Sequence, residues 1–293
     1  MTTTRLRTAG APRLDDAFPM IFSRSSPAVE ENSPMVLAGS LMRFHPVDAA
    51  LLLMEKGLQP LRVGSKGVFL GGYAILDNLL KQDPKNYYRF LFEPSKKGGV
   101  PVESLGAGRS LWELLDLYAE SRSGFTLVTR GSLYGMVSLS DVLELYRGGV
   151  IDSGLVAQDV AQGPVSTSAT TRIKDALSVM FRRRIRRIFI ESMGRKSSRG
   201  RAFVSDREII SFIFSPRNLE ESRDSPSTML DATIGEAGAI DAEEVDDDAP
   251  LSEVARYLTR SQGSCVICTK GLISPWDAVM KPYLSGKLEL GRS

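Results

Sequence analysis

The sequence is poor in the residues that build most metal and redox sites. It contains two cysteines, Cys265 and Cys268, and a single histidine, His45, among 293 residues. The Cys-x-x-Cys spacing suits a redox or zinc motif, but no second pair completes a zinc set. Residues 264–268 read instead as a buried strand, in which positions three apart face opposite sides. We therefore expect both cysteines to be small buried hydrophobic residues.

The chain also lacks long hydrophobic runs and a strong excess of either charge. Its longest apolar runs, such as 49–54 and 209–214, are too short to cross a bilayer, and the N-terminus shows no basic-then-apolar leader. The net charge of +2 is too small to imply a polyanionic partner by itself. The hydrophobic content of 42% is ordinary for a globular protein with real cores. These features predict a cytoplasmic protein without a membrane partner.

A short pattern of glycine, two apolar residues, serine, two further residues and aspartate is what the sequence does contain. The intact copies are 135–141 and 271–277, and two weaker copies are 71–77, which lacks the hydroxyl, and 202–208, which ends in glutamate. The acidic positions 77, 141, 208 and 277 are separated by 64, 67 and 69 residues. A constant period of this length indicates a repeated structural unit.

Each copy follows a helical stripe and a predicted hairpin. Apolar residues at i, i+3, i+4 and i+7 share one face of a helix. The four stripes are Val47, Ala50, Leu51 and Met54; Leu111, Leu114, Leu115 and Tyr118; Ile173, Ala176, Leu177 and Met180; and Leu251, Val254, Ala255 and Leu258. The stripe starts 30 residues before the acidic position in both of the first two repeats (77 − 47 and 141 − 111). In the first repeat the hairpin strands are predicted at 59–63 and 67–71.

The period divides the chain into two tandem pairs with a tail at each end. We predict a flexible N-terminal tail over 1–33, a first pair over 34–148, a second pair over 149–286 and a C-terminal tail over 287–293. The apolar patch 18–22 of the N-terminal tail is interrupted by Pro19, and it is a candidate to pack against the folded repeats.

The chemistry of the motif favours a nucleotide. A serine at a strand-to-helix junction places its hydroxyl beside free backbone N–H groups and the positive end of the helix dipole, which suits a phosphate. The aspartate three residues later suits two vicinal ribose hydroxyls, and apolar hairpin strands offer a slot for adenine. The same residues can also form a helix capping box, which stabilises by about 0.5–2 kcal/mol and binds nothing. Both interpretations remain open from the residues alone.

A unit of strand, helix, hairpin and then this motif opening a second helix resembles the cystathionine-β-synthase (CBS) domain. The resemblance covers about 34–285 in four copies. It implies an α+β fold of two tandem pairs in a flat pseudo-symmetric disc, similar to the gamma subunit of AMP-activated kinase. It further implies a non-catalytic, energy-sensing regulator that binds AMP, ADP, ATP or S-adenosylmethionine in clefts between paired repeats. Occupancy would be signalled to a separate regulated protein, and a homodimer is a further partner to consider.

The resemblance also assigns candidate ligand-binding residues. The nucleotide-binding set is Ser138, Asp141, Ser274, Asp277, Arg187, Ser205, Glu208 and Asp77. Arg187 matches an arginine that often binds phosphate just before the first hairpin strand. Ala74 removes the hydroxyl from the first repeat, and Glu208 is one methylene longer than aspartate. For Asp77 and Glu208 a structural role is therefore the preferred interpretation.

The arginines of residues 182–187 support an alternative function. Together with the basic loop 194–201 they could form a surface for nucleic acid, although cations at a helix C-terminus also favourably meet its dipole. No nucleophile–base pair or metal set can be assembled from the sequence, so we do not predict an enzyme.

Overall fold

The computed structural model describes residues 10–44, 51–191, 202–260 and 265–291. A short helix, α1 (Leu14–Ala17), precedes four units built on the order strand, helix, strand, strand, helix, with one additional short strand in the first and in the fourth. Repeat 1 comprises β1 (Ala28–Glu30), α2 (Met35–Phe44), β2 (Leu51–Met54), β3 (Arg62–Val63), β4 (Lys66–Leu70) and α3 (Gly72–Leu80). After α4 (Tyr87–Phe90), repeat 2 comprises β5 (Val100–Gly106), α5 (Leu111–Ser121), β6 (Phe125–Arg130), β7 (Leu133–Ser138) and α6 (Leu139–Arg147).

The second half of the chain repeats this order. It opens with β8 (Ile151–Asp152) and α7 (Ala157–Val160). Repeat 3 comprises β9 (Ser166–Ser168), α8 (Ile173–Arg183), β10 (Arg187–Glu191), β11 (Ala202–Ser205) and α9 (Asp206–Ile213). After α10 (Pro216–Asp224) and α11 (Thr228–Asp231), repeat 4 comprises β12 (Ile240–Asp241), β13 (Glu243–Glu244), α12 (Leu251–Arg260), β14 (Val266–Cys268), β15 (Gly271–Ile273) and α13 (Pro275–Leu284), and β16 (Glu289–Leu290) follows.

The repeats of each tandem pair are joined through their sheets. Repeats 1 and 2 share a seven-stranded sheet in the order β1-β2-β4-β5-β6-β7, with β3 on β4. The junction is the antiparallel pair β4–β5, in which Phe69 lies opposite Val100. In the second half, β12 at the start of repeat 4 adds to the sheet of repeat 3 by pairing with β11. The predicted division into two tandem pairs therefore has a physical basis in strand pairing.

Helices join the two pairs to each other. Helices α2 and α3 pack on α8 and α9, and helices α5 and α6 pack on α12 and α13. Each repeat thus contacts one neighbour through its sheet and another through its helices. The four units close a ring in the order 1, 2, 4, 3, which is the arrangement that the predicted disc requires.

Four hydrophobic clusters fill this ring. One is shared by the helices of repeats 1 and 3, and a second by those of repeats 2 and 4. The other two lie where the sheets of paired repeats meet. Cys265 belongs to a sheet cluster, whereas Cys268 belongs to the helix cluster of repeats 2 and 4. Both thiols are buried, and they pack in different clusters, as predicted for residues three apart in an extended segment.

The first helix of repeat 1 was predicted in the wrong place. It is α2 at Met35–Phe44, and Leu51–Met54 is the buried strand β2. A run of consecutive apolar residues satisfies the helical and the strand periods equally, and only its short length favours a strand. The equal distance of 30 residues in two repeats was therefore a coincidence. Val47, Ala50 and His45 lie outside the described residues.

The two predicted tails are also wrong within the described residues. Strand β1 pairs in parallel with β2, and Leu14 and Ile21 are buried in the cluster of repeats 2 and 4. At the other end β16 pairs with β8, and Leu288 is buried. Loss of apolar periodicity marks these segments as irregular in sequence, but it does not show whether they dock. Within the described residues no helix combines the length and apolar character needed to span a membrane.

Candidate nucleotide-binding sites

In repeats 2, 3 and 4 the motif serine lies where the last strand gives way to a helix. Ser138, Ser205 and Ser274 are the N-cap residues of α6, α9 and α13, and each has an extended backbone. The preceding strands hold these junctions in place because their apolar residues are buried between sheet and helices. The hydroxyls thus stand at helix N-termini, as predicted from the sequence.

A capping box forms at each of these three junctions. The Ser138 amide and hydroxyl donate to Asp141 Oδ2 at 2.7 and 2.9 Å. The Ser274 amide and hydroxyl donate to Asp277 Oδ2 at 3.0 and 2.6 Å. In repeat 3 the same two groups of Ser205 donate to Oε2 of Glu208, the amide at 2.8 Å. The motif residues therefore do cap their helices. Each capping box uses only one of the two carboxylate oxygens of its acidic residue.

The second oxygen of Asp141 pairs with Arg24. The Arg24 guanidinium spans both carboxylate oxygens, with Nη2 at 2.9 Å from Oδ2, and also donates to the carbonyl of Met136. The hydrogen bond to Asp141 raises the pKa of Arg24 and outweighs the lowering effect of burial. The arginine side chain keeps 42% of its surface exposed, against 16% for Asp141. The carboxylate is thus covered by one movable side chain at the surface.

Asp277 is enclosed much more completely. Its side chain is 1% exposed, and the Gln162 amide donates to Oδ1 while Lys281 Nζ lies 3.3 Å from the same oxygen. Lys281 also donates to the carbonyl of Val160 at 2.5 Å. Both carboxylate oxygens are therefore engaged, and the carboxylate itself is almost fully buried.

Arg24 and Gln162 belong to two equivalent chain segments that precede the pairs. We call residues 13–24 the first docking segment and residues 156–162 the second. Each starts with a four-residue helix, α1 or α7, and pairs with the chain just before the first helix of the second repeat of its pair. The Leu14 amide donates to Arg109 at 2.8 Å, and the Ala157 amide donates to Ala249 at 2.9 Å. Each segment thus precedes the first repeat of its pair but docks on the second.

The docking segments account for the glycine that begins the motif. A Cβ atom on Gly135 would overlap the carbonyl oxygen of Ile21, and one on Gly271 would overlap the carbonyl oxygen of Gln162. Only glycine permits so close an approach of two backbones. Neither Arg24 nor Gln162 is among the residues predicted from the sequence. A weak signal exists in the sequences of α1 and α7, Leu-Asp-Asp-Ala and Ala-Gln-Asp-Val, which share an aspartate at the third position.

Asp77 does not occupy the position predicted for it. Helix α3 begins at Gly72 with Gly71 as N-cap, so its third residue is Ala74 and Asp77 lies three residues further on. The copy at 71–77 is thus out of register by three residues. Asp77 forms a surface ion pair with Lys81 at 2.5 Å. Repeat 1 therefore lacks both the serine and the acid of the motif.

The residue opposite the motif serine differs between repeats. Arg187 begins β10 and lies opposite Ser205, which brings it beside the capping box of Glu208. In repeat 2 the corresponding residue is Phe125, opposite Ser138. Phe125 is half-buried, and its ring lies 5.0 Å from that of Phe69 in repeat 1. An aromatic side chain at the boundary of two repeats is thus placed beside the serine.

The arginine cluster is divided by the fold. Arg182, Arg183 and Arg184 are exposed at the end of α8. Arg186 instead pairs with the buried Asp206 at 2.8 Å. The loop 194–201 lies outside the described residues, so the nucleic-acid surface stays a prediction.

Comparison with solved structures identifies the fold. Protein MJ1225 from Methanocaldococcus jannaschii, proposed to be an archaeal homologue of g-AMPK, superposes with a TM-score of 0.75 over 93% of this chain and 100% of that chain, at 16% identity. The chain has the fold of a CBS-domain protein. An uncharacterized conserved protein from Pyrococcus horikoshii matches with a TM-score of 0.51 and 12% identity over 90% of this chain and 99% of that one. The α+β organisation in four CBS repeats is thereby confirmed.

Further comparisons concern parts of the chain or the sequence alone. A CBS domain protein, PAE2072 from Pyrobaculum aerophilum, solved in complex with AMP, matches 45% of this chain and 99% of its own at 19% identity, with a TM-score of 0.33. No protein-family model matches the sequence, and a search of curated proteins finds no significant match.

Proposed function

We propose that this CBS-fold protein is a non-catalytic regulator that binds an adenine nucleotide between repeats 1 and 2. The observation that carries the proposal is that the two carboxylate oxygens of Asp141 have different partners. One carboxylate oxygen caps α6 through Ser138, and the other is held by the half-exposed Arg24. Helix capping and ligand binding are therefore compatible, because the second oxygen can accept from a ribose hydroxyl when Arg24 moves.

The surroundings of Asp141 suit the rest of such a ligand. The N-terminus of α6 offers its dipole and the Ser138 hydroxyl to a phosphate. Phe125 and Met136 line the boundary with the sheet of repeat 1 and offer apolar surface for a base. Repeat 4 carries the same motif, but the Asp277 side chain is 1% exposed, whereas that of Asp141 is 16% exposed. We therefore assign the accessible site to repeat 2.

Regulation follows from the ring. A ligand that touches repeats 1 and 2 favours one relative arrangement of the two, and a partner protein that prefers the same arrangement is bound more tightly. Helix α6 begins at the site and packs on α12 and α13 of repeat 4. The same helix thus connects the site to the opposite tandem pair.

Calorimetric titration of the nucleotide-stripped full chain with AMP, ADP, ATP and S-adenosylmethionine tests the proposal. We expect at least one of these ligands to bind. Asp141→Asn should lower its affinity about tenfold or more, since a hydrogen bond to a charged group is lost. Asp77→Asn is the matched control, because Asp77 is an acidic residue on the surface of α3 and not at a helix start. A wild-type protein that binds none of the four ligands would overturn the proposal.

A further inference from the structure

We propose that Arg24 is the phosphate-binding cation of the repeat 2 site and is stored on Asp141 until a ligand arrives. The inference rests on the proposed function and adds to it the residue that decides whether the site prefers phosphorylated ligands. In the exchange, the ribose hydroxyls take over the carboxylate oxygen, and the released guanidinium turns to the ligand's phosphate.

The position of Arg24 is the first argument. Its guanidinium touches Asp141 and the carbonyl of Met136, two residues before Ser138. It therefore lies at the N-terminus of α6, within a side-chain rotation of the place where a phosphate would meet Ser138. Because 42% of its side chain is exposed, this rotation requires no repacking of the core.

The charge balance of the site is the second argument. In repeat 2, Phe125 takes the place opposite the motif serine that Arg187 has in repeat 3, so this strand position supplies no cation. A phosphate placed beside Asp141 would be repelled by the carboxylate unless a cation stays between them. Arg24 is already paired with that carboxylate, and its planar guanidinium binds phosphate as readily as carboxylate.

The second docking segment gives an internal comparison. In repeat 4 the docking-segment side chain that meets the motif acid is Gln162, which is neutral and which corresponds in its backbone contact to Ile21 and not to Arg24. Lys281 supplies the positive charge there, but it also binds the carbonyl of Val160 and belongs to α13 itself. The exchange is therefore specific to repeat 2, and the two intact motifs differ in function.

The exchange predicts opposite effects of one substitution on two ligands. Adenosine carries no phosphate, so for this ligand Arg24 is only a competitor for Asp141. AMP needs the guanidinium to offset its charge. Arg24→Gln should therefore lower the affinity for AMP and leave the affinity for adenosine unchanged or higher. We expect the preference for AMP over adenosine, expressed as the ratio of the two dissociation constants, to fall about tenfold or more.

The experiment is calorimetric titration of the full chain with AMP and with adenosine. The variants are Arg24→Gln, Arg24→Lys, which keeps the charge and should keep part of the preference, and Arg13→Gln as the control. Arg13 lies on the same docking segment but pairs with Asp15 at 3.2 Å, so its removal should leave the ratio unchanged. Thermal unfolding of each variant verifies that the fold is intact.

The outcomes separate this inference from the proposed function. If the wild type binds AMP and Arg24→Gln tightens both ligands equally, Arg24 only covers the site and the exchange is wrong. An unchanged ratio in Arg24→Gln also overturns it. If the wild-type protein binds neither AMP nor adenosine, this inference is wrong, whereas the proposed function is overturned only if ADP, ATP and S-adenosylmethionine also fail to bind.

Discussion

Asp141 and Asp277 hold the same position in their helices but have different surroundings. Each caps its helix through a serine, yet Asp141 meets a half-exposed arginine, whereas Asp277 is 1% exposed and meets Gln162 and Lys281. Burial makes the loss of a hydrogen-bonded carboxylate more costly because its partners are left unsatisfied away from water. The same motif residue therefore has a partly exposed carboxylate in one repeat and a buried one in the other.

Alanine substitutions at the acidic positions should reveal this difference as a ranked series. We expect Asp277→Ala to lower the free energy of unfolding by about 2–3 kcal/mol, since a buried carboxylate that accepts several hydrogen bonds is removed. Asp141→Ala should cost about 1 kcal/mol as a lost cap, and Asp77→Ala less than about 0.5 kcal/mol as a surface pair. Urea unfolding of the ligand-free proteins measures the series. Equal losses at Asp141 and Asp277 would contradict it.

The docking segments supply the side chains that meet the acids of the two intact motifs. The first is held by buried side chains of Leu14, Phe18 and Ile21 and by the close backbone contact of Ile21 with Gly135. Its final residue, Arg24, reaches Asp141 only because this contact fixes the path of the chain. The position of the Arg24 side chain therefore depends on docking of the whole segment.

Gly135→Ala should loosen the first docking segment. The added Cβ would overlap the Ile21 carbonyl, and we expect a loss of about 1–3 kcal/mol of stability, as for other overpacked sites. Limited trypsin digestion should then cut faster at Arg13 or Arg24. Gly106→Ala is the control, because a Cβ there meets nothing within 4 Å. Equal digestion of the two variants would show that the segment does not depend on this contact.

The whole molecule is a ring in which no repeat has a core of its own. Each helix cluster combines residues of one tandem pair with residues of the other, and each sheet cluster combines the two repeats within a pair. A tandem pair on its own would expose the apolar faces of its helices to water. The free energy of folding is thus shared across the chain.

Heat should therefore unfold the protein in a single transition. We expect scanning calorimetry to give a van't Hoff enthalpy close to the calorimetric enthalpy. Leu143→Ala, at a fully buried position of α6, should lower stability by about 2–5 kcal/mol without splitting the transition. Two separate transitions, one for each pair, would show that the helix clusters do not couple the halves.

Parts of this architecture were predictable because they depend on local pattern. The period of the motif indicates four repeats, and the strand-to-helix junctions at Ser138 and Ser274 follow from residue order along the chain. The copy in repeat 1 was assigned three residues out of register, since Gly71 and Ala74 retain neither the serine nor the acid. A pattern without its polar residues has no local feature that fixes its alignment.

The sequence by itself determined the repeats and the strand-to-helix junctions, because these depend on contacts within about 70 residues. The pairing of neighbouring repeats was implied by the resemblance to the CBS domain. Only the tertiary structure decided what covers each cap. Arg24 and Asp141 are 117 positions apart, and Gln162 and Asp277 are 115 apart. They meet because each docking segment passes over its first repeat to reach the second. Such a path is set by packing between distant parts of the chain, and a repeated sequence motif carries no information about it.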